Sequence, residues 1–362
     1  MLLTMLGAQS LLFPVTVLDW LRARVLDLLG SWAIPLMRRP ELRVCWRGSV
    51  AILIALIGST CLPLWILALG PLFLGVPHLV SDVRYLIVRP GHQTSRKMAA
   101  CVGIPLVLCG VGGGMPLGLL AACGVCVATP GRPWRRVLGL GLLLGVLALG
   151  FFRGLFPWFE LALAHLHNPL AVVLWLLWRP RQERLHIYPI VFYLLAVLGL
   201  ATGLFSAFPF GLASAPRFSE PVLDFFRDTL APDFAEPWGT RLVLLYCFGQ
   251  MVHYSMWLQV IPEEDRPRPT PRTFAATFRV LGQDLSVPLF ACALVTMAGL
   301  WVYALRDLWS AREAYFRIAT FHGYLEICAL MYWFVAAQRP QKPRTLLQTA
   351  RGNLPVSPDA TA

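Results

Sequence analysis

Residues Val50–Phe73 read VAILIALIGSTCLPLWILALGPLF, a stretch without a single charged residue. At about 1.5 Å per helical residue, this stretch is long enough to cross the roughly 30 Å hydrocarbon core of a bilayer. Two later runs, Ile187–Phe208 and Val287–Leu305, have the same character. The sequence therefore predicts an all-α protein, a polytopic transmembrane helical bundle.

The composition of the whole chain agrees with a membrane protein. Hydrophobic residues make up 57% of the chain and charged residues only 14%, whereas a soluble domain carries about a quarter charged residues. The apolar runs divide into about ten predicted spans. These lie near 49–69, 71–88, 98–112, 115–129, 137–151, 157–178, 187–208, 241–261, 285–305 and 314–337.

The basic residues are concentrated in one set of loops. Taken alone, the net charge of +12 would suggest a nucleic-acid partner. However, most Arg and Lys residues fall before the first span, after the last one and in alternate connections, which is the positive-inside pattern. We therefore expect no nucleic acid as a partner. We expect a multi-pass protein of the inner or plasma membrane, with both termini cytoplasmic and its basic residues facing anionic lipid of the bilayer.

Three regions follow from these spans. Residues 1–48 form a cytoplasmic or interfacial segment, in which 11–37 is predicted to be an amphipathic helix or, alternatively, an eleventh span. Residues 49–338 form the bundle, and 339–362 a disordered cytoplasmic tail. Within the bundle, 98–129 predicts a short hairpin or a re-entrant pair. The outer loop 209–239 contains a predicted short helix that starts at Ser219-Glu220-Pro221.

Five of the seven histidines lie inside apolar runs, where ionisable groups mark function by default. The predicted topology places His78, His165, His167, His253 and His322 on four spans that run in the same direction. Each histidine lies about seven to twelve residues into its span, so all five should fall near one depth. Four helices that deliver imidazole to one level are what a metal centre in a bundle requires.

Two carboxylates share the faces of two of these histidines. Asp82 lies four residues after His78, and Glu326 four after His322, so each pair lies on one helix face. These acids are candidate ligands, or acceptors that orient the imidazole rings. His165 and His167 point to opposite sides of an ideal helix, and we expect one of them, together with Asn168, to face the site.

The type of ligand indicates which metal would bind. Imidazole with carboxylate suits iron, zinc or copper, and the scattered cysteines give no thiolate cluster. A site inside a bilayer meets lipophilic substrates and dissolved dioxygen more readily than charged metabolites. We therefore predict a divalent metal, Fe(II), in a non-haem oxygenase or oxidase that acts on an isoprenoid or another lipid.

One segment also resembles a known family. Gly75-Val76-Pro77-His78-Leu79-Val80-Ser81-Asp82 is similar to the G-x-P-H-x-x-x-D segment of the bacterial Brp/Blh β-carotene cleavage enzymes. Those enzymes are all-helical membrane proteins with iron held by intramembrane histidines, so the resemblance implies a similar metal site. Leu79 stands where that family usually has glycine, and the similarity is limited mainly to this segment.

Two other functions remain open from the sequence. The same His, Asp and Glu residues could relay protons or bind an ion in a transporter, and Pro77 directly before His78 could break its helix, as transporter sites require. Haem held by two facing histidines is the third possibility, although it leaves Asp82 and Glu326 without a role.

Overall fold

The computed structural model describes residues 13–178, 183–205, 223–265 and 270–337, and these residues form helices and turns without a strand. The predicted all-α class is confirmed. The helices are α1 (Phe13–Leu29), α2 (Ala33–Arg38), α3 (Pro40–Cys61), α4 (Pro63–Val88), α5 (Arg96–Ala128), α6 (Pro133–Arg153), α7 (Phe156–Trp178), α8 (Arg184–Thr202), α9 (Leu223–Leu230), α10 (238–264), α11 (Phe274–Asp284), α12 (Val287–Ala304) and α13 (Leu308–Ala336).

Eight of the described helices are long and apolar enough to cross a membrane, namely α3 to α8, α12 and α13. Helix α10 is also long, but it carries Gln250 and His253 and falls outside that apolar set. Its polar residues are buried inside the bundle, which explains why a helix at the centre is less apolar than its neighbours.

Helix α5 folds back on itself as a hairpin. Its backbone leaves helical geometry at Val111 and Gly112 (φ 116°), and Gly114 has a φ of 60°. Glycine tolerates such positive φ values, which is why the chain reverses here. The second arm, Gly114–Ala128, packs antiparallel against the first, with Gly124 in contact with the backbone of Cys101. Residues 98–129 therefore form two antiparallel arms, and whether these arms cross the bilayer or form a re-entrant pair stays a prediction.

The boundary between the first two predicted spans is wrong. We expected it near Gly70-Pro71, but the helices break at Leu62. Leu62 has a non-helical φ of −139° and directly precedes Pro63, the first residue of α4. Proline disfavours helical geometry in the residue before it. Pro71 is instead accommodated inside α4 by a π-helical turn, Pro71–Gly75. The first predicted span was expected to begin near 49, but the corresponding helix α3 begins at Pro40.

The peripheral helices match two further predictions. Helix α1 lies within the predicted amphipathic segment 11–37, with most of its residues exposed, and packs against α11. There Asp19 accepts hydrogen bonds from the first backbone amides of α11, Phe274 and Ala275. Helix α9 is the expected short helix in 209–239, although the predicted start at Ser219 lies outside the described residues, as does the tail 339–362.

Helices α4, α7, α10 and α13 run in the same direction through the bundle. Near one end, Arg312 of α13 donates a hydrogen bond to the carbonyl of Leu67 in α4. Further along, the rings of His78 and His322 on the same two helices are in contact. Trp178 of α7 then meets Trp333 of α13 farther on. This shared direction brings the histidine-bearing turns of the four helices to the same level.

Buried ion pairs join the helices at the opposite end, which we call the arginine-rich end. Arg43 and Arg47 of α3 both bind Glu263 of α10, at 2.6 and 2.9 Å. Arg84 of α4 donates two hydrogen bonds to Asp284 of α11, at 2.6 and 2.8 Å. Breaking a buried pair such as Arg43–Glu263 by removing one partner costs about 3–5 kcal/mol, and the half-buried contacts of Arg47 and Asp284 contribute less. These pairs therefore hold the ends of four helices in a defined arrangement.

Candidate metal centre

Four histidine rings, one from each parallel helix, meet in the centre of the bundle. The ring centroid of His78 lies 5.2 Å from that of His253 and 4.8 Å from that of His322. His167 completes the group, 5.0 Å from His253 and 5.2 Å from His322. His78 and His253 are fully buried. Their common depth agrees with the depth counted from the sequence.

Backbone carbonyls orient three of these rings. Nδ1 of His78 lies 2.6 Å from the oxygen of Gly75, and Nδ1 of His167 lies 3.1 Å from that of Ala164. Nδ1 of His322 contacts the oxygen of Ala319 in the same way. A carbonyl oxygen can only accept, so each Nδ1 carries the proton and donates it. The lone pair is then on Nε2. Neutral imidazole binds a metal through such an unprotonated nitrogen.

A carboxylate lies directly beside these rings. Asp82 Oδ2 is 3.7 Å from Nε2 of His78, one helical turn earlier in α4. One donor atom from each of His78, Asp82, His253 and His322 lies within 4.8 Å of the other three. The group contains nitrogen and oxygen donors without a thiolate, and it could hold a metal ion.

Several polar atoms of this group and of Glu326 lack a hydrogen-bond partner in the part of the chain that the structure describes. Both oxygens of Asp82, Nε2 of His78, both ring nitrogens of His253 and Oε2 of Glu326 are buried without a hydrogen bond. An unsatisfied buried polar atom costs roughly 1–3 kcal/mol, and a charged one more. A divalent cation would satisfy several of them at once, so the residues fit a metal.

Glu326 has a different partner from the one that the helix spacing predicts. Its Oε1 lies 3.8 Å from Nε2 of His253 on α10, not against His322 one turn earlier on its own helix. The same oxygen accepts a hydrogen bond of 2.6 Å from the indole of Trp257. Trp257 and Glu326 are both fully buried. The indole therefore holds the carboxylate beside His253.

His165 is not part of the cluster, so His167 is the one of the two histidines on α7 that lies against the other rings. Its Nε2 lies 2.7 Å from the carbonyl of Leu230 at the end of α9, and its ring contacts Tyr246. Residues two apart on a helix are rotated by about 200°, so His165 and His167 cannot both face the centre. The structure places His167 and the adjacent Asn168 towards it.

Local irregularities in the helices lie next to the site. The π-helical turns Pro71–Gly75 and Met256–Val260 flank His78 and His253, and such turns often occur at functional sites. Gly75 lets the ring of Tyr315 pack where a side chain would overlap with it. Helix α4 nevertheless continues through Pro77 to Val88, so the break that would favour a transporter is not observed.

A cavity of about 790 Å³ leads to the cluster. His167 and His322 line its inner part together with Tyr254, Tyr315 and Gln250. Exposed Glu160 and Arg317 line it nearer the bundle surface, beside the turn of the α5 hairpin. Small molecules therefore have a route to two of the four imidazoles.

Two aromatic residues of the site were missed from the sequence. Trp257 lies four residues after His253, and Tyr315 seven before His322, so both share a face with a histidine. Tyr315 places its hydroxyl 3.4 Å from Nδ1 of His78. Their spacing was a usable signal, but aromatic residues at helical spacing are common in any core.

The chain matches no protein-family model, no curated protein and no solved structure with which it was compared. The resemblance of residues 75–82 to the Brp/Blh enzymes therefore stays a prediction.

Proposed function

We propose that this protein is a non-haem iron oxygenase or oxidase of the membrane that acts on an isoprenoid or another lipid, with dioxygen as co-substrate. The observation that carries the proposal is the group His78, Asp82, His253 and His322, whose donor atoms lie within 4.8 Å of one another. Bound there, Fe(II) would supply dioxygen activation, for which imidazole and carboxylate ligands with open positions are suited.

The residues around the metal have separate tasks in this proposal. Three imidazoles and Asp82 hold the ion. Glu326 does not need to bind it, because its contacts with His253 and Trp257 suit a residue that orients an imidazole. His167 lines the cavity wall, where the substrate approaches. The buried surroundings exclude bulk water, which protects reactive species from side reactions.

The proposed membrane arrangement has ten spans, obtained when both arms of the α5 hairpin and helix α10 are counted with the other apolar helices. Both termini are then on the same side of an inner or plasma membrane, and the positive-inside pattern assigns the arginine-rich end to the cytoplasm. A reporter fused after Ala362 should be active on the cytoplasmic side. A reporter active only on the outer side would overturn this orientation.

Metal analysis tests the function most directly. We expect iron in protein prepared with iron supplied and without chelator, and its loss in His253→Ala and His322→Ala. His165→Ala is the matched control, since that imidazole binds the carbonyl of Leu230 and should not affect metal content. Because both oxygens of Asp82 are unpartnered, Asp82→Asn should lose as much metal as His78→Ala.

Equal, near-zero metal in the wild type and the histidine variants would contradict the oxygenase. That result would favour the alternative of a transporter or a proton- or ion-conducting protein, in which the same buried His, Asp and Glu residues bind ions. An optical spectrum recorded on the same samples separates haem, which has intense visible absorption, from non-haem iron. An iron-containing wild type with a haem spectrum would also overturn the proposal.

A further inference from the structure

Two buried amide side chains line the cavity next to the histidine cluster. Asn168 is 2% exposed and Gln250 is 3% exposed, and both belong to the wall of the 790 Å³ cavity. Each amide nitrogen has a partner: Asn168 Nδ2 donates to the carbonyl of Ala164, and Gln250 Nε2 donates to the hydroxyl of Tyr254. The amide oxygens, Oδ1 and Oε1, have none among the described residues.

Close packing of α7 against α10 brings these two side chains together. Gly249 faces Asn168, and a methyl group added there would lie 3.1 Å from its Cβ. Gln250 is the next residue along α10. It lies three residues before His253, or about 4.5 Å along the helix axis at 1.5 Å per residue. Gln250 therefore lies about one helical turn from His253, and Asn168 directly follows His167 of the cluster on α7.

The chemistry of these oxygens restricts what the cavity accepts. A buried carbonyl oxygen without a donor is unfavourable, and a pure hydrocarbon leaves it so. A carboxylate or phosphate is also unsuitable, because ionised acids only accept hydrogen bonds. A hydroxyl group donates one, and the rest of the nearby wall offers the aromatic rings of Tyr246, Tyr315 and Phe316 to an apolar chain.

We propose, on the basis of the metal-dependent function above, that the substrate is a lipophilic alcohol whose hydroxyl group donates to the amide oxygen of Asn168 or of Gln250. The hydroxyl end lies innermost, and the apolar chain extends towards the cavity mouth near Glu160 and Arg317. The hydroxyl end is then the part of the substrate nearest the metal. Asn168 and Gln250 determine specificity, and they are not metal ligands.

Binding of three matched probes tests this substrate class. Purified protein in nanodiscs of zwitterionic lipid is titrated with 1-hexadecanol, hexadecane or palmitate at equal mole fractions in the bilayer, and the shift of the thermal unfolding midpoint reports binding. We expect the alcohol to bind on the order of 10- to 100-fold more tightly than the alkane, as one satisfied buried hydrogen-bonding group predicts. Palmitate should bind no better than the alkane.

Substitutions then locate the discrimination. Gln250→Met and Asn168→Leu remove the acceptor oxygens with little change in volume, and the variant whose oxygen accepts from the hydroxyl should reduce the preference for the alcohol to within about threefold. Thr320→Val is the matched control. Thr320 lines the same cavity, but its hydroxyl already donates to the carbonyl of Phe316, so the preference should remain.

Several outcomes would overturn the inference. Equal binding of alcohol and alkane by metal-containing wild type would overturn it. This outcome requires no variant, so it does not depend on whether the variants fold. An unchanged preference in both variants would mean that the two oxygens bind water only. The test also separates the two proposals. Wild type that retains no metal when prepared with iron and without chelator, but still prefers the alcohol, would contradict the iron function and support the ligand class.

Discussion

Trp257→Phe should weaken metal binding although Trp257 offers no ligand atom. The indole donates a 2.6 Å hydrogen bond to Glu326, whose same oxygen lies 3.8 Å from Nε2 of His253. Phenylalanine keeps an aromatic ring in the same space and removes the donor. Glu326 would then be free to turn away from His253, and the imidazole would lose the group that holds it.

The size of the effect follows from the type of bond. Leaving a buried acceptor without its donor costs roughly 1–3 kcal/mol, and each 1.4 kcal/mol corresponds to a factor of ten in an equilibrium constant. We therefore expect metal affinity to fall about 10- to 100-fold, the range typical when a residue that orients a ligand is lost. Loss of a direct ligand such as His253 should abolish metal retention.

Competition with a chelator of known affinity measures the change on purified protein under anaerobic conditions. Trp178→Phe is the control, because its buried ring contacts Trp257 but not the carboxylate. If Trp257 acts through Glu326, the double variant Trp257→Phe/Glu326→Gln should be no weaker than Glu326→Gln alone. Wild-type affinity in Trp257→Phe, or an equal loss in Trp178→Phe, would refute this role of the indole.

Two further pairs of substitutions test the packing and the geometry of the site. His165→Ala and His167→Ala remove imidazoles two positions apart, and only His167→Ala should open the cavity further. The rate at which a small chelator removes the bound metal measures this access. Equal rates in the two variants would contradict the assigned orientations. Gly75→Ala should destabilise the protein by about 1–3 kcal/mol through overlap with Tyr315, whereas Gly141→Ala, which meets nothing within 4 Å, should be neutral. Unfolding midpoints measure both, and equal midpoints would contradict the close packing at Gly75.

Much of the site could be predicted because helices in a bilayer have few options. Each apolar run must cross the same thickness, so counting residues from the start of a span gives a depth. That count placed His78, His253 and His322 at one level, and the structure brings their rings together. The pairing of Asp82 with His78 followed from the i, i+4 geometry of a single helix, and the observed 3.7 Å distance agrees with it.

Other features depended on contacts between helices, which spacing along one chain does not contain. Glu326 shares a face with His322, but α10 packs beside it and gives it His253 and Trp257 as neighbours. The helix boundary at Leu62 was also missed. Pro63 and Pro71 have the same local preferences, and packing of the π-helical turn decided which proline ends a helix.

The sequence by itself determined the helical class, the positions of most long apolar helices, and the common level and partial pairing of the buried polar groups. These properties follow from hydrophobicity and from the 3.6-residue turn, which act within one helix. Only the tertiary structure decided that His167 faces the centre and His165 faces Leu230. It also decided that Asn168 and Gln250 share one wall. The rotation of a helix about its axis is set by all its neighbours together, because each buried face must fit several surfaces at once.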